Sequence, residues 1–233
     1  MAKVAPSQPK TPMQMVEALN NRVTASARSY KMATVRYLMR PPLSLRAKYA
    51  AFLLDFAQQS DLIQDVLGRA GERVADPRVA ALLLAHQREE KARIQLVMSD
   101  LRRLGYSDEL PERPVTSGDA ALRAYCSNVS GERPYAMLGV MLALFGVAAE
   151  VSSTVVRLLS VGSVPREAMR WLLLRESEDP HELKKLLEQT AELIRDPTEQ
   201  VQLLQAVEVT GELLALGAAA RPAGGGHRGG GVQ

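Results

Sequence analysis

Residues 134–160, PYAMLGVMLALFGVAAEVSSTVVRLLS, carry no charge between Arg133 and Glu150 and place apolar side chains on nearly every face of a helical wheel. A helix of that kind has no solvent face, so the rest of the chain has to enclose it. A membrane span is the competing use of such a segment, because about 20 apolar residues cross a bilayer. Glu150 interrupts the run, however, and Gly139 and Gly146 suit close packing against neighbouring helices. The expectation is a buried central helix and no membrane span.

The coat around that helix comes from a chain of 233 residues with 46% hydrophobic content, enough for one substantial core. Aromatic residues are scarce at 4%, while Leu, Ala, Val and Met abound, which favours helices packed by aliphatic side chains. The fold class expected is all-α. Lys and Arg number 29 against 26 acidic residues, and part of the +3 excess lies toward the ends, at Lys3, Lys10, Arg221 and Arg228. A nearly neutral body offers no basic stripe for nucleic acid and no amphipathic cationic face for a membrane surface. The single cysteine, Cys126, excludes an internal disulfide, and the N-terminal MAKVAPSQPKTPMQ lacks the apolar segment of a secretory signal. A cytoplasmic location is the default that follows.

Capping residues divide the chain. Residues 1–10 are rich in Pro, Lys and Ser and are expected to be disordered; 11–217 form a single helical domain; the Gly-rich 218–233 form a flexible tail. Within the domain, Thr11-Pro12 opens a helix that Pro41-Pro42 stops, and Ser44 caps a second that runs to Gly68 or Gly71. Asp76-Pro77 opens a third that ends at Gly105, and a short helix over 119–128 precedes the central one. Pro165, Asp179-Pro180 and Asp196-Pro197 each read as a restart, the last helix closing at Gly217. The result is a bundle of seven to eight helices. Met13, Met15, Val16 and Leu19 give the first helix an apolar face, which suits either folding back onto the bundle or a homodimer.

Bundles carry their sites in the core, so the informative residues are charges in line with an apolar stripe. In the third helix the stripe of Val79, Leu82 and Leu83 resumes at Val97, Leu101 and Leu104, and His86, Glu90 and Arg93 lie between on the same face. An i,i+3 ion pair between Glu90 and Arg93 is the plain explanation. Glu178 and His181, three apart, could share a cation; equally, Asp179-Pro180 is a helix cap in its own right. Glu150 needs a partner if it is buried. Met137, Met141, Phe145, Phe52 and Phe56 are spaced either as plain core or as the lining of a pocket for a small apolar or amphiphilic ligand.

Four segments, PPLSLRAKYAAFLLDF, HQREEKARIQLVMSDLRRLG, PYAMLGVMLALFGVA and RESEDPHELKKLLEQ, resemble in order and pattern the heme-oxygenase-like helical bundles, and among them the non-haem iron (diiron) oxidases and oxygenases. The similarity runs over roughly residues 30–216. That family's third helix places a carboxylate and, seven residues on, a histidine, with a Glu three before the histidine and an Asp-Leu and Leu-Gly ending. Asp100-Leu101, Leu104-Gly105 and Glu90 match, whereas His86 stands at the carboxylate position and Arg93 at the histidine position. The family's Leu-Glu-Gly is here Leu144-Phe145-Gly146, and its closing His, acid and His are Leu174, Glu178 and His181.

Most metal-ligand positions are therefore substituted. The resemblance implies a degenerate member, with no cofactor and with Arg93 standing in for the cation in a core ion pair of Glu90, Arg93 and Glu178. Its expected role is to bind a small ligand or a protein. The alternative is an iron-dependent oxidoreductase with a remodelled site drawn from His86, Glu90, Glu178 and His181, to which Glu150 could add. Cofactor-free catalysis in the same bundle is a further possibility, although the cysteine of the thiaminase-like relatives is replaced by Phe145.

Overall fold

The computed structural model describes residues 9–41, 44–107, 115–162 and 164–221. Seven α-helices span them: α1 (Pro12–Met39), α2 (Leu45–Arg73), α3 (Pro77–Arg103), α4 (Ser117–Glu132), α5 (Met137–Val161), α6 (Arg170–Leu193) and α7 (Pro197–Ala220), with 3-10 turns at Pro134–Ala136 and Arg166–Ala168. There is no strand among the described residues. Residues 1–8 and 222–233, most of the two expected terminal segments, lie outside that description, so the expectations for them are not addressed.

The starts follow the capping chemistry of the sequence. Thr11 and Gln14 form a capping box at α1, while Ser44, Asp76 and Asp196 cap α2, α3 and α7. At the other end of α3, Gly105 adopts φ of 85°, a left-handed conformation that glycine takes without strain. Helix α6 begins at Met169 with no side-chain cap of its own. The buried carboxylate of Asp100, from α3, supplies one across the fold by accepting from the Trp171 backbone N–H at 2.9 Å.

Helix α5 is the centre, enclosed by α1, α6 and α7. Its window and that of α7 are long and apolar enough to cross a membrane, yet 61% and 50% of those windows are buried inside the protein. The glycines explain how closely the neighbours approach. A Cβ on Gly139 would lie 2.4 Å from the Leu203 carbonyl oxygen, and one on Gly146 would lie 2.0 Å from Val23 Cγ1. Small residues there let α7 and α1 come within backbone distance of α5. Glu150 is half-exposed and pairs with Lys31 at 2.8 Å. On α1, Met15 and Leu19 are fully buried, so that face folds back onto the bundle, while Met13 stays exposed.

Some boundaries differ from the sequence reading. Helix α2 passes through Gly68 and Gly71 to Arg73, because each glycine sits against a side chain of α3, Gln87 and Leu84 respectively. Pro180 opens no helix; it lies inside α6, with its side chain on the solvent side. Helix α7 continues past Gly217 to Ala220, and Arg221, expected in the tail, is 8% exposed. Its guanidinium pairs with Asp55 at 2.8 Å, donates to the Tyr30 hydroxyl at 3.3 Å and lies 5.1 Å from the Phe52 ring centre. A buried cation with those partners ties the end of α7 into the core, and the domain accordingly reaches 221.

Candidate functional site

Phe145, on α5, is the hub of the polar core. The Arg93 guanidinium lies 5.1 Å from its ring centre and that of Arg175 lies 5.4 Å away, while His86 meets the ring edge-on at 5.0 Å. Helix α3 delivers His86, Glu90 and Arg93 to this point because residues four and three apart share a face. Helix α6 delivers Arg175, Asp179 and Glu182 by the same spacing.

The charges interlock. Arg93 donates to Glu90 Oε1 at 2.9 Å and to Glu182 Oε2 at 2.6 Å. Arg175 Nε lies 3.0 Å from Asp179 Oδ2, and a terminal nitrogen of Arg175 lies 3.7 Å from Glu90 Oε1. His86 Nδ1 is 3.0 Å from Oε2 of the half-exposed Glu89, a contact that holds the Glu89 carboxyl below its usual range. Burial pushes the Asp179 carboxyl up to about 6, against the opposing pull of Arg175 and Arg93.

Two of the expected partners are elsewhere. Glu178 and His181 are exposed on the outer side of α6, whereas His86 and Glu90 are buried. The helix runs unbroken through Pro180, and that register turns Asp179 inward, with 0% exposure, and its neighbour Glu178 outward. The core ion pair is thus Glu90 and Arg93 joined by Glu182, with Arg175 and Asp179 adjoining, and Glu178 is outside it. Asp179 is no helix cap. Arg175, Asp179 and Glu182 were all missed by sequence reasoning, and one signal could have found them: they extend the stripe of Trp171 and Leu172 once Asp179-Pro180 is read as helix interior.

Beside this cluster is a partly enclosed cavity of about 80 Å³. Phe52, Phe56, Met141 and Phe145, four of the residues spaced as a pocket lining, face it together with Trp171, and its polar wall includes His86, Glu90 and Arg175. Met137 is buried but belongs to the packed core. The Phe56 and Trp171 rings meet at a tilt of 51° with 4.4 Å between their centres. His86 also lines an open groove of about 650 Å³ between α3 and α6, so its side chain separates the cavity from the surface.

The residues present do not fit a carboxylate and histidine metal centre. Among the described residues no group of three or more His, Cys, Asp or Glu is disposed to hold a metal ion. Two permanent guanidinium cations occupy the space beside Glu90, where a dication would meet direct repulsion.

No protein-family model matches the sequence. No curated protein matches it. Among solved structures the chain is similar to the crystal structure of a domain of unknown function with a heme oxygenase-like fold from Shewanella denitrificans OS217, with a TM-score of 0.71 over 84% of this chain and 87% of that one, at 16% identity. The fold is heme-oxygenase-like. Asp100 of the Asp-Leu ending in α3 has a structural role in this fold, as the cap of α6.

Proposed function

We propose that this heme-oxygenase-like bundle is a small-molecule-binding protein in which an arginine-carboxylate network replaces a metal centre. The observation that carries the proposal is the pair of guanidinium groups on Phe145, one of which locks Glu90 at 2.9 Å, next to a partly enclosed cavity with an aromatic lining. A carboxylate already engaged by arginine is a poor metal ligand, because the metal would have to displace a charge-assisted hydrogen bond and then sit against the cation. A preformed apolar cavity with a few convergent polar groups is the ordinary form of a small-ligand site.

The test combines metal content with ligand response. Protein purified with iron supplied is assayed by plasma mass spectrometry, and its melting temperature is followed against a panel of small amphiphilic compounds. The expected result is no stoichiometric iron, with stabilisation by some compounds that is lost in Ala148→Phe, a substitution that fills the cavity. Stoichiometric iron that disappears in His86→Ala or His181→Ala would overturn the proposal in favour of an iron-dependent oxidoreductase.

A further inference from the structure

We infer that the ligand is a short-chain monocarboxylate of no more than about three carbons, its carboxylate held by Arg175 and its hydrocarbon part packed on Trp171, Phe52 and Phe56. This deepens the ligand-binding proposal and rests on it.

Arg175 is the unusual group in the core. It is 4% exposed, lines the cavity and carries five N–H donors, yet its Nε and one of its terminal nitrogens are buried without a hydrogen-bond partner. Arg93, on the same aromatic ring, makes two. The charged neighbours of Arg175 do not replace that missing acceptor. Asp179 is within 3.0 Å, but its carboxylate oxygens are themselves without a hydrogen-bond partner, so the contact is ionic and poorly aligned. Glu90 is 3.7 Å away and already accepts from Arg93. A buried guanidinium left in that state calls for an acceptor, and the planar fork of an arginine matches a carboxylate best.

The other ligand chemistries fit less well. An amine brings donors to a group that has only donors, and a neutral amide offers a single acceptor without charge assistance. Burial makes Asp179 easy to protonate, so a second carboxylate can enter the cluster without leaving the arginines outnumbered. Size sets the chain length. An apolar cavity of about 150 Å³ holds benzene, so the cavity of about 80 Å³ takes roughly three to five non-hydrogen atoms, of which the two carboxylate oxygens leave one to three carbons. A long acyl chain does not fit.

The full chain is titrated with propionate, its carboxamide, propylamine and dodecanoate, with binding read by saturation-transfer NMR and by thermal denaturation. Propionate is expected to bind, its carboxamide roughly tenfold to a hundredfold more weakly, and the amine and dodecanoate not at all. Arg175→Gln is expected to erase the preference for acid over amide, and Ala148→Phe to abolish binding of both. If Arg175→Gln does not fold, the acid-to-amide ratio on the unaltered chain decides. Equal affinity for acid and amide overturns the carboxylate assignment and leaves the ligand-binding proposal standing. Binding by no member of the panel, with no loss of signal to attribute to Ala148→Phe, overturns both.

Discussion

Arg93→Ala is the substitution that interrogates the polar core most directly. It removes the donor to Glu90 at 2.9 Å, the donor to Glu182 at 2.6 Å and the cation over Phe145. The Glu90 side chain is 11% exposed, so its charge stays buried; the Glu182 side chain is 35% exposed and can turn to water, so that bond contributes little. Breaking a buried pair from one side costs about 3–5 kcal/mol. The lower end applies, because Arg175 at 3.7 Å can close on the freed Glu90 oxygen. For a domain of this size about 3 kcal/mol corresponds to a fall in melting temperature of roughly 6–12 °C. Urea unfolding followed by circular dichroism measures it, with an unchanged slope expected, since the surface exposed on unfolding is the same. The double variant Arg93→Met with Glu90→Leu is expected to regain most of the loss, because two apolar side chains of similar volume leave no charge stranded. A loss below about 1 kcal/mol for Arg93→Ala refutes the reasoning, since it would mean that no buried charge is stranded when the guanidinium is removed.

Two further outcomes are expected. The Asp179 carboxyl is raised in the folded chain to about 6 from an ordinary 3.8, so between those values the native state holds a proton that the unfolded state has lost, and stability falls as pH rises from about 4 to about 6. Urea midpoints across pH 4 to 7 should show that decline, and Asp179→Asn should flatten it. Gly139→Ala is expected to cost about 1–3 kcal/mol, because the new methyl meets a backbone oxygen that cannot move aside. Gly131→Ala, whose methyl would meet the mobile end of Arg73 at 3.0 Å, should change stability by no more than about 0.5 kcal/mol in the same assay.

The helices were legible in the sequence because their starts are local chemistry. Thr11, Ser44, Asp76 and Asp196 cap where their residue types say they should, and a proline follows all but Ser44. Asp179-Pro180 has the same signature and is helix interior. An interior proline costs about 3 kcal/mol in a helix. The packing of α6 along α5 outweighs that cost, and the arginines compensate the carboxylate that would otherwise have capped. Half of the candidate site was legible as well. His86, Glu90 and Arg93 lie on one face of one helix, so spacing alone joins them. Their partners come from α6, where the resemblance put the acid at Glu178, whereas the register of the unbroken helix turns Asp179 and Glu182 toward them.

What the sequence determined by itself was the all-α class, the enclosure of the uncharged helix over 134–160 and the inward face of α3, since each rests on a periodicity within one segment. What only the tertiary structure decided was which charges meet. Arg175 faces Glu90 across residues distant in the chain, Asp100 caps a helix it does not belong to, and Arg221 turns from a tail residue into a core cation once Asp55 and Tyr30 surround it. The physical reason is that a buried charge is tolerated only with a partner at hydrogen-bond or ion-pair distance. Such distances between separate helices are set by how closely their backbones pack, which here depends on glycines such as Gly139 and Gly146 in the helix that α1, α6 and α7 enclose.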